Sequence, residues 1–168
     1  MTGTDDPERV ALMLFLGAQR ASVLAIVDGL PEEALRARVL PSGWTPIGLV
    51  EHLGHAERHW FQEVFLGSAT ALPWPPDDPG TGPLETDHPT EEVFAFYRDQ
   101  CRLSDRVLTA TALSTAPAAE HEHDAVLAAQ TTDLRRIVLH VIEETARHAG
   151  HLDVVRELLD GRTGLGPR

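Results

Sequence analysis

Four stretches of this 168-residue sequence carry apolar residues at steps of three or four, and segments rich in proline and glycine separate them. Apolar side chains at that spacing line one face of an α-helix, so the pattern restricts the chain to an all-α fold. The first stretch predicts a helix from Pro7 to about Leu30, with Val10, Leu14, Ala18, Ala21, Leu24 and Ile26 as its apolar face. Pro31, Glu32 and Glu33 then open a short helical piece that Pro41 ends. The second long helix starts at Thr45, whose hydroxyl suits an N-cap. Pro46 follows at a position where a missing N–H costs nothing. This helix is expected to reach about Phe65, with Gly67 just past its end.

The next segment, "GSATALPWPPDDPGTGPLETDHP" (residues 67–89), holds six prolines and cannot continue a helix, so a surface loop or flap is expected there. Trp74 within it is a candidate cover for a pocket mouth. Thr90, Glu91 and Glu92 open a third helix to about Leu113, with Val93, Phe94, Tyr97, Cys101 and Val107 apolar. "STAPAAEHEHD" interrupts again. The fourth helix starts at Thr132 or Asp133 and runs to Asp160, where Gly161 is a natural stop. No β-hairpin signature, internal repeat or sustained heptad occurs. The simplest architecture is an antiparallel four-helix bundle, with residues 1–168 as a single domain and a proline-rich loop between the second and third long helices.

The formal charge is −12, and all fourteen basic residues are arginine. An acidic chain without a basic cluster repels phosphate backbones, so no nucleic-acid partner is expected. Cys101 stands alone, which rules out an internal disulfide and fits a reducing cytoplasm. The start, "MTGTDDPERV", lacks the basic and apolar regions of a signal peptide. No uninterrupted apolar run approaches the roughly 20 residues a bilayer requires, so no membrane partner is expected either.

Six of the nine histidines fall on two of the predicted helices. In "HVIEETARHAGHLD", residues 140–153, His140, Glu144, His148 and His151 share one stripe about 80° wide. In the second helix His52, His55 and His59 lie within about 60° of each other. Ionisable groups on an inward stripe are costly to desolvate without partners. A zinc-type site takes three or four N, O or S ligands, and bundles build such sites from facing helices. Glu144 and His148 form an i, i+4 pair, and His52 is a reasonable third ligand. On spacing alone, these faces read equally as a metal site or as hydrogen-bonded helix surface. His88, His121 and His123 lie in loop-like segments and read as exposed polar residues. Trp44 and Trp60 bracket the second helix and read first as core anchors, while Trp44 and His55 are also candidates for lining a pocket.

"SGWTPIGLVEHLGHAERHW", followed about ninety residues later by "LHVIEETARHAGHLDVVRELLDG", resembles the DinB/YfiT-like superfamily of metalloenzymes. It is similar in particular to an actinobacterial DinB-like branch related to the N-terminal domain of mycothiol-dependent maleylpyruvate isomerases. The resemblance covers essentially the whole chain. It implies a four-helix bundle whose divalent metal is held by one histidine on the second helix and two ligands four apart on the last. Carried over, these are His52 within "EHL", and Glu144 and His148 within "EETARHAGH". Many members have histidine where this chain has Glu144; the glutamate version is that of the isomerases, which bind zinc through two histidines and a glutamate. Those isomerases carry a further C-terminal domain that helps form the substrate pocket, and this sequence ends at Arg168, so isomerase activity is not expected.

Two histidines and a carboxylate leave a divalent ion at least one open position, the mark of catalytic zinc. Zinc is favoured, with nickel or another transition metal as alternatives. A thiol at the open position would lose its proton and become a nucleophile. The expected function is therefore a metal-dependent S-transferase using mycothiol or a similar thiol cosubstrate on a small-molecule substrate. A metal-dependent hydrolase and a non-catalytic, stress-related metal-binding bundle are the alternatives. His140 and His151 are expected to orient ligands or relay protons. No catalytic residue is assigned. The resemblance also implies a homodimer.

Overall fold

A computed structural model describes residues 6–68, 84–119, 121 and 124–166. Its helices are α1 (Pro7–Val27), α2 (Glu32–Leu35), α3 (Pro46–Arg58), α4 (Thr90–Ala110), α5 (Ala125–Gln130) and α6 (Leu134–Asp160). A π-helical segment, His59–Phe65, continues α3 without a break. No strand occurs among the described residues.

Local chemistry sets most of these boundaries. Asp6 caps α1 by accepting from the Glu8 N–H, and Thr45 caps α3 by accepting from the Gly48 N–H at 3.1 Å. Asp133 caps α6 through the Arg136 N–H, and Gly161 ends it in the left-handed region at φ 76°. Three expectations shift. The first long helix stops at Val27 rather than Leu30, because Gly29 turns the chain at φ 70°. Helix α4 stops at Ala110, where Thr111 is extended, and the Thr90 hydroxyl bonds across to Glu32 instead of capping its own helix. Helix α5, which was not expected, forms because Asp124 accepts from the N–H groups of Val126 and Leu127.

The inward face of α1 also differs from the expected one. Leu16, Arg20, Val23, Ile26 and Val27 are buried, whereas Val10 and Leu14 are 53% and 69% exposed. The helix is apolar nearly all round, so spacing alone does not choose between faces. The choice falls to Arg20. Its guanidinium donates to both oxygens of Glu57 on α3, at 2.6 and 2.7 Å, and to Asp105 on α4 at 2.7 Å. Burial works against its charge, but the Glu57 carboxylate outweighs that and raises its pKa.

The long helices run as two parallel pairs, opposed to each other. In the α1/α6 pair, Glu8 meets Arg135 at one end, and Arg156 donates to the carbonyls of Ile26 and Asp28 at the other. In the α3/α4 pair, Glu51 lies beside His88 just before α4, Gly54 sits against Phe96, and Gln62 bonds Gln100. The uniformly antiparallel arrangement expected from the sequence is thus corrected to up, down, down, up. Parallel sequential helices need a long return connection, and residues 66–89 supply it. Its middle, including Trp74, lies outside the described residues. Its end is fixed at the start of α3: the Thr45 N–H donates to the Leu84 carbonyl, and Arg36 donates to the carbonyls of Thr86 and His88. A Cβ at Gly48 would come 2.2 Å from the Leu84 oxygen, so only glycine admits this approach.

Two apolar clusters fill the bundle, one around Leu16, Trp60, Phe61 and Ile137, the other around Val23, Ile47, Leu53 and Leu152. Arg20 and Glu57 occupy the bundle beside them as a buried ion pair. Breaking a buried pair from one side leaves an uncompensated charge. Glu57→Ala is predicted to lower the unfolding free energy by about 3–5 kcal/mol in urea denaturation. Asp105→Ala removes a half-exposed partner and should cost only about 0–1 kcal/mol. Equal costs would contradict this reading of the pair.

Candidate functional site

His52 sits two turns into α3, and Glu144 and His148 are one turn apart on α6, which crosses α3 in the opposite direction. The crossing brings one ligand-type atom from each of the three residues within 4.8 Å of the others. Glu144 Oε1 lies 2.8 Å from His148 Nε2 and 3.4 Å from His52 Nε2, and the two imidazoles meet edge to face at 5.1 Å. All three side chains are partly buried, His148 most deeply. Hydrogen bonds from His148, and then from His52, hold the Glu144 carboxyl well below the usual carboxylate range despite its burial. This is a charged oxygen and two imidazole nitrogens aimed at one small volume, the N/N/O donor set that suits a divalent transition metal.

The other residues of the α6 stripe flank this group on both sides. His151 is exposed, with its ring 5.6 Å from His148 and 6.4 Å from Trp44. His140, one turn before Glu144, packs edge-on to Trp60 at 4.6 Å. Burial lowers the His140 pKa, against the pull of Glu144 and Glu143, so its imidazole is held neutral. Trp44 is half-buried and packs against the second apolar cluster, with its ring 6.4 Å from His151, while Trp60 is in the core.

His55 departs from the expected arrangement. It lies against the Phe96 ring at 4.8 Å and 3.7 Å from Glu51, on the side of α3 that packs on α4. A step of three residues carries it about 60° from His52, and that angle separates the α6 side of the helix from the α4 side. His59 does not join the triad either. Its Nδ1 pairs with Glu63 at 2.7 Å, and its Nε2 faces His121 Nδ1 at 2.9 Å.

Glu63 and His121 were not singled out as site residues by sequence reasoning, and His121 was read as exposed. In the structure it is half-buried, 4.8 Å from the Trp60 ring. The spacing of Glu63 four residues after His59 was a visible signal; the long-range meeting with His121 was not. His88 likewise leaves the exposed class by bonding buried Glu51 at 3.0 Å. His123 lies outside the described residues. The thiol of Cys101 is pushed up by burial and then by Glu57, so it stays protonated and is no candidate nucleophile.

The lowered pKa of His140 has a consequence for stability. Below the ordinary value of 6.5 the unfolded chain takes up a proton that the folded chain does not. His140 therefore contributes stability above that pH, and the contribution is lost as pH falls towards the folded value. Denaturation of wild type and His140→Gln across this window should show the wild-type advantage shrinking with acidity. An advantage that grows with acidity would contradict a half-buried neutral imidazole.

Residues 11–161 match the family model described as Mycothiol-S-transferase. No individual curated protein matches the sequence. With the match spanning nearly the whole chain, and with the bundle and its clustered histidines as described, this protein belongs to the mycothiol S-transferase family, a DinB-like family.

Proposed function

We propose that His52, Glu144 and His148 hold a divalent cation, zinc by preference, and that the protein uses it to transfer mycothiol or a similar thiol to an electrophilic small molecule. The observation that carries this reading is the convergence of the three donor atoms within 4.8 Å, in a family of thiol transferases. Nickel or another transition metal satisfies the same donors. Such an ion would favour the thiolate over the thiol at neutral pH, which makes the sulfur nucleophilic.

The remaining work falls to side chains. Glu144, charged throughout the neutral range, lowers the net charge of the centre. His140 is neutral and one turn from Glu144, suited to take up the proton that the thiol sheds. His151 and Trp44 stand at the other side of the triad, where they can contact the body of the thiol or its acceptor. The buried Nδ1 of His148 lacks a hydrogen-bond partner among the described residues. A coordinating histidine usually donates from its second nitrogen, so ligand or solvent would complete this contact. We further read the chain as one domain acting in the cytoplasm as a homodimer.

Elemental analysis tests the ligand set. The purified protein should carry about one ion per chain, and His148→Ala and Glu144→Gln should each lose most of it. Metal that stays at parity in both variants would remove these residues from the site. Conjugation of a thiol to a generic electrophile should vanish with chelation and return with zinc. Turnover that proceeds without added thiol would instead mark a hydrolase.

A further inference from the structure

A second histidine cluster lies about two turns beyond His52, where the backbone that continues α3 widens. The segment His59–Phe65 is π-helical, a rare geometry that recurs at functional sites. His59 opens it, and the Glu63 carboxylate accepts from His59 Nδ1 at 2.7 Å. Arg58 pairs with the same carboxylate and holds it in place. A carboxylate is an acceptor only, which puts a proton on Nδ1 and leaves the lone pair of the neutral ring on Nε2. That nitrogen faces Nδ1 of His121, 62 residues further along the chain, across 2.9 Å.

Packing fixes the two rings as firmly as their polar contacts do. Buried Trp60 lies 5.3 Å from the His59 ring and 4.8 Å from that of His121. The rings meet each other edge to face at 5.1 Å. Negative charge is close by as well. The N–H groups of Leu127 and Val126, and then His121, hold the Asp124 carboxyl below its usual range. Asp124 and Glu63 can thus offset positive charge brought between the two imidazoles.

We propose that His59 Nε2 and His121 Nδ1 form a second site for a divalent transition cation, with Glu63 orienting His59 from behind. The site goes beyond the function proposed above and does not depend on it. A hydrogen bond between two neutral rings needs no carboxylate behind one of them, whereas a metal-ligating histidine almost always donates its other N–H to such a group. Two nitrogens bound to one tetrahedral zinc at about 2.0–2.1 Å stand roughly 3.3 Å apart, so the rings need only part slightly and tilt. His121 then carries its proton on Nε2, and both lone pairs face the ion. Imidazole donors suit zinc, copper and nickel. With two protein donors and solvent completing the shell, the site is weaker than the three-donor triad. Once occupied, it clasps His121, and with it the connection before α5, onto the end of the α3 segment.

Zinc binding tests this without recourse to activity. Equilibrium dialysis against tens of micromolar free zinc should load wild type with about two ions per chain, and metal-free buffer should return it to about one. His121→Ala, in a loop, and His59→Ala should each keep only the tighter ion, with unchanged helical circular dichroism. Glu63→Gln should weaken the second ion about 10–100-fold. His148→Ala should lose the tighter ion and keep the weaker one, so the triad and this site can fail separately. A wild type that takes up no second ion overturns the proposal. So does a second ion indifferent to His59→Ala and His121→Ala, which would be adventitious, or one that disappears in His148→Ala, which would belong to the triad.

Discussion

A charged carboxylate wedged between two helices needs partners, and the crossing of α3 over α6 supplies them to Glu144. His148 reaches it from one turn along the same helix and His52 from the facing one. The depth of His52 depends on how closely α3 packs on its neighbours. Gly54 lets Phe96 of α4 press against α3, and Gly48 lets the returning chain at Leu84 lie on its first turn. Filling either position would push α3 outward and carry its histidine away from the pair on α6. The ligand cluster is thus a consequence of helix packing on the far side of α3 as much as of the residues that form it.

Polar groups inside the bundle act on the same geometry from another direction. Arg20 joins α1 to α3 through Glu57 and to α4 through Asp105, so three of the four long helices share one guanidinium. Its planar fork accepts few arrangements, and the bidentate contact fixes the register of α1 against α3 more tightly than apolar contacts could. The cost of desolvating this pair is the usual argument against buried ions as stabilisers. Here the pair's value lies in alignment: α1 also packs along α6, so what fixes α1 against α3 also constrains the crossing at the triad.

How much of this could be read from the sequence varies with the range of the interaction. Capping is local, and Thr45, Asp133 and Gly161 were legible because their roles involve only nearby backbone. The Glu144–His148 pair was legible for the same reason, and helical arithmetic put His52 on a face that could meet it. The inward face of α1 was not legible, since an apolar helix offers several equivalent stripes and a long-range partner, Glu57, decided among them. Parallel pairing of α3 with α4 was hidden as well. A proline-rich connection announces a loop but not its direction, and only the contacts of Leu84, Thr86 and His88 reveal that the chain returns to where α3 begins. His55 and His52 differ by a modest rotation on one helix, yet that rotation sends one imidazole to Phe96 and the other to Glu144.

The central claim is that one cation bridges α3 and α6 through two imidazoles and a carboxylate. X-ray absorption at the zinc edge of the loaded, thiol-free protein addresses it directly. The account predicts a shell of nitrogen and oxygen neighbours at about 2.0–2.2 Å, with the outer-shell scattering of two imidazoles and no sulfur, because the half-buried Cys101 lies on α4 beside Glu57 and outside the triad. A shell containing sulfur in the absence of thiol, or one without imidazole scattering, would contradict it.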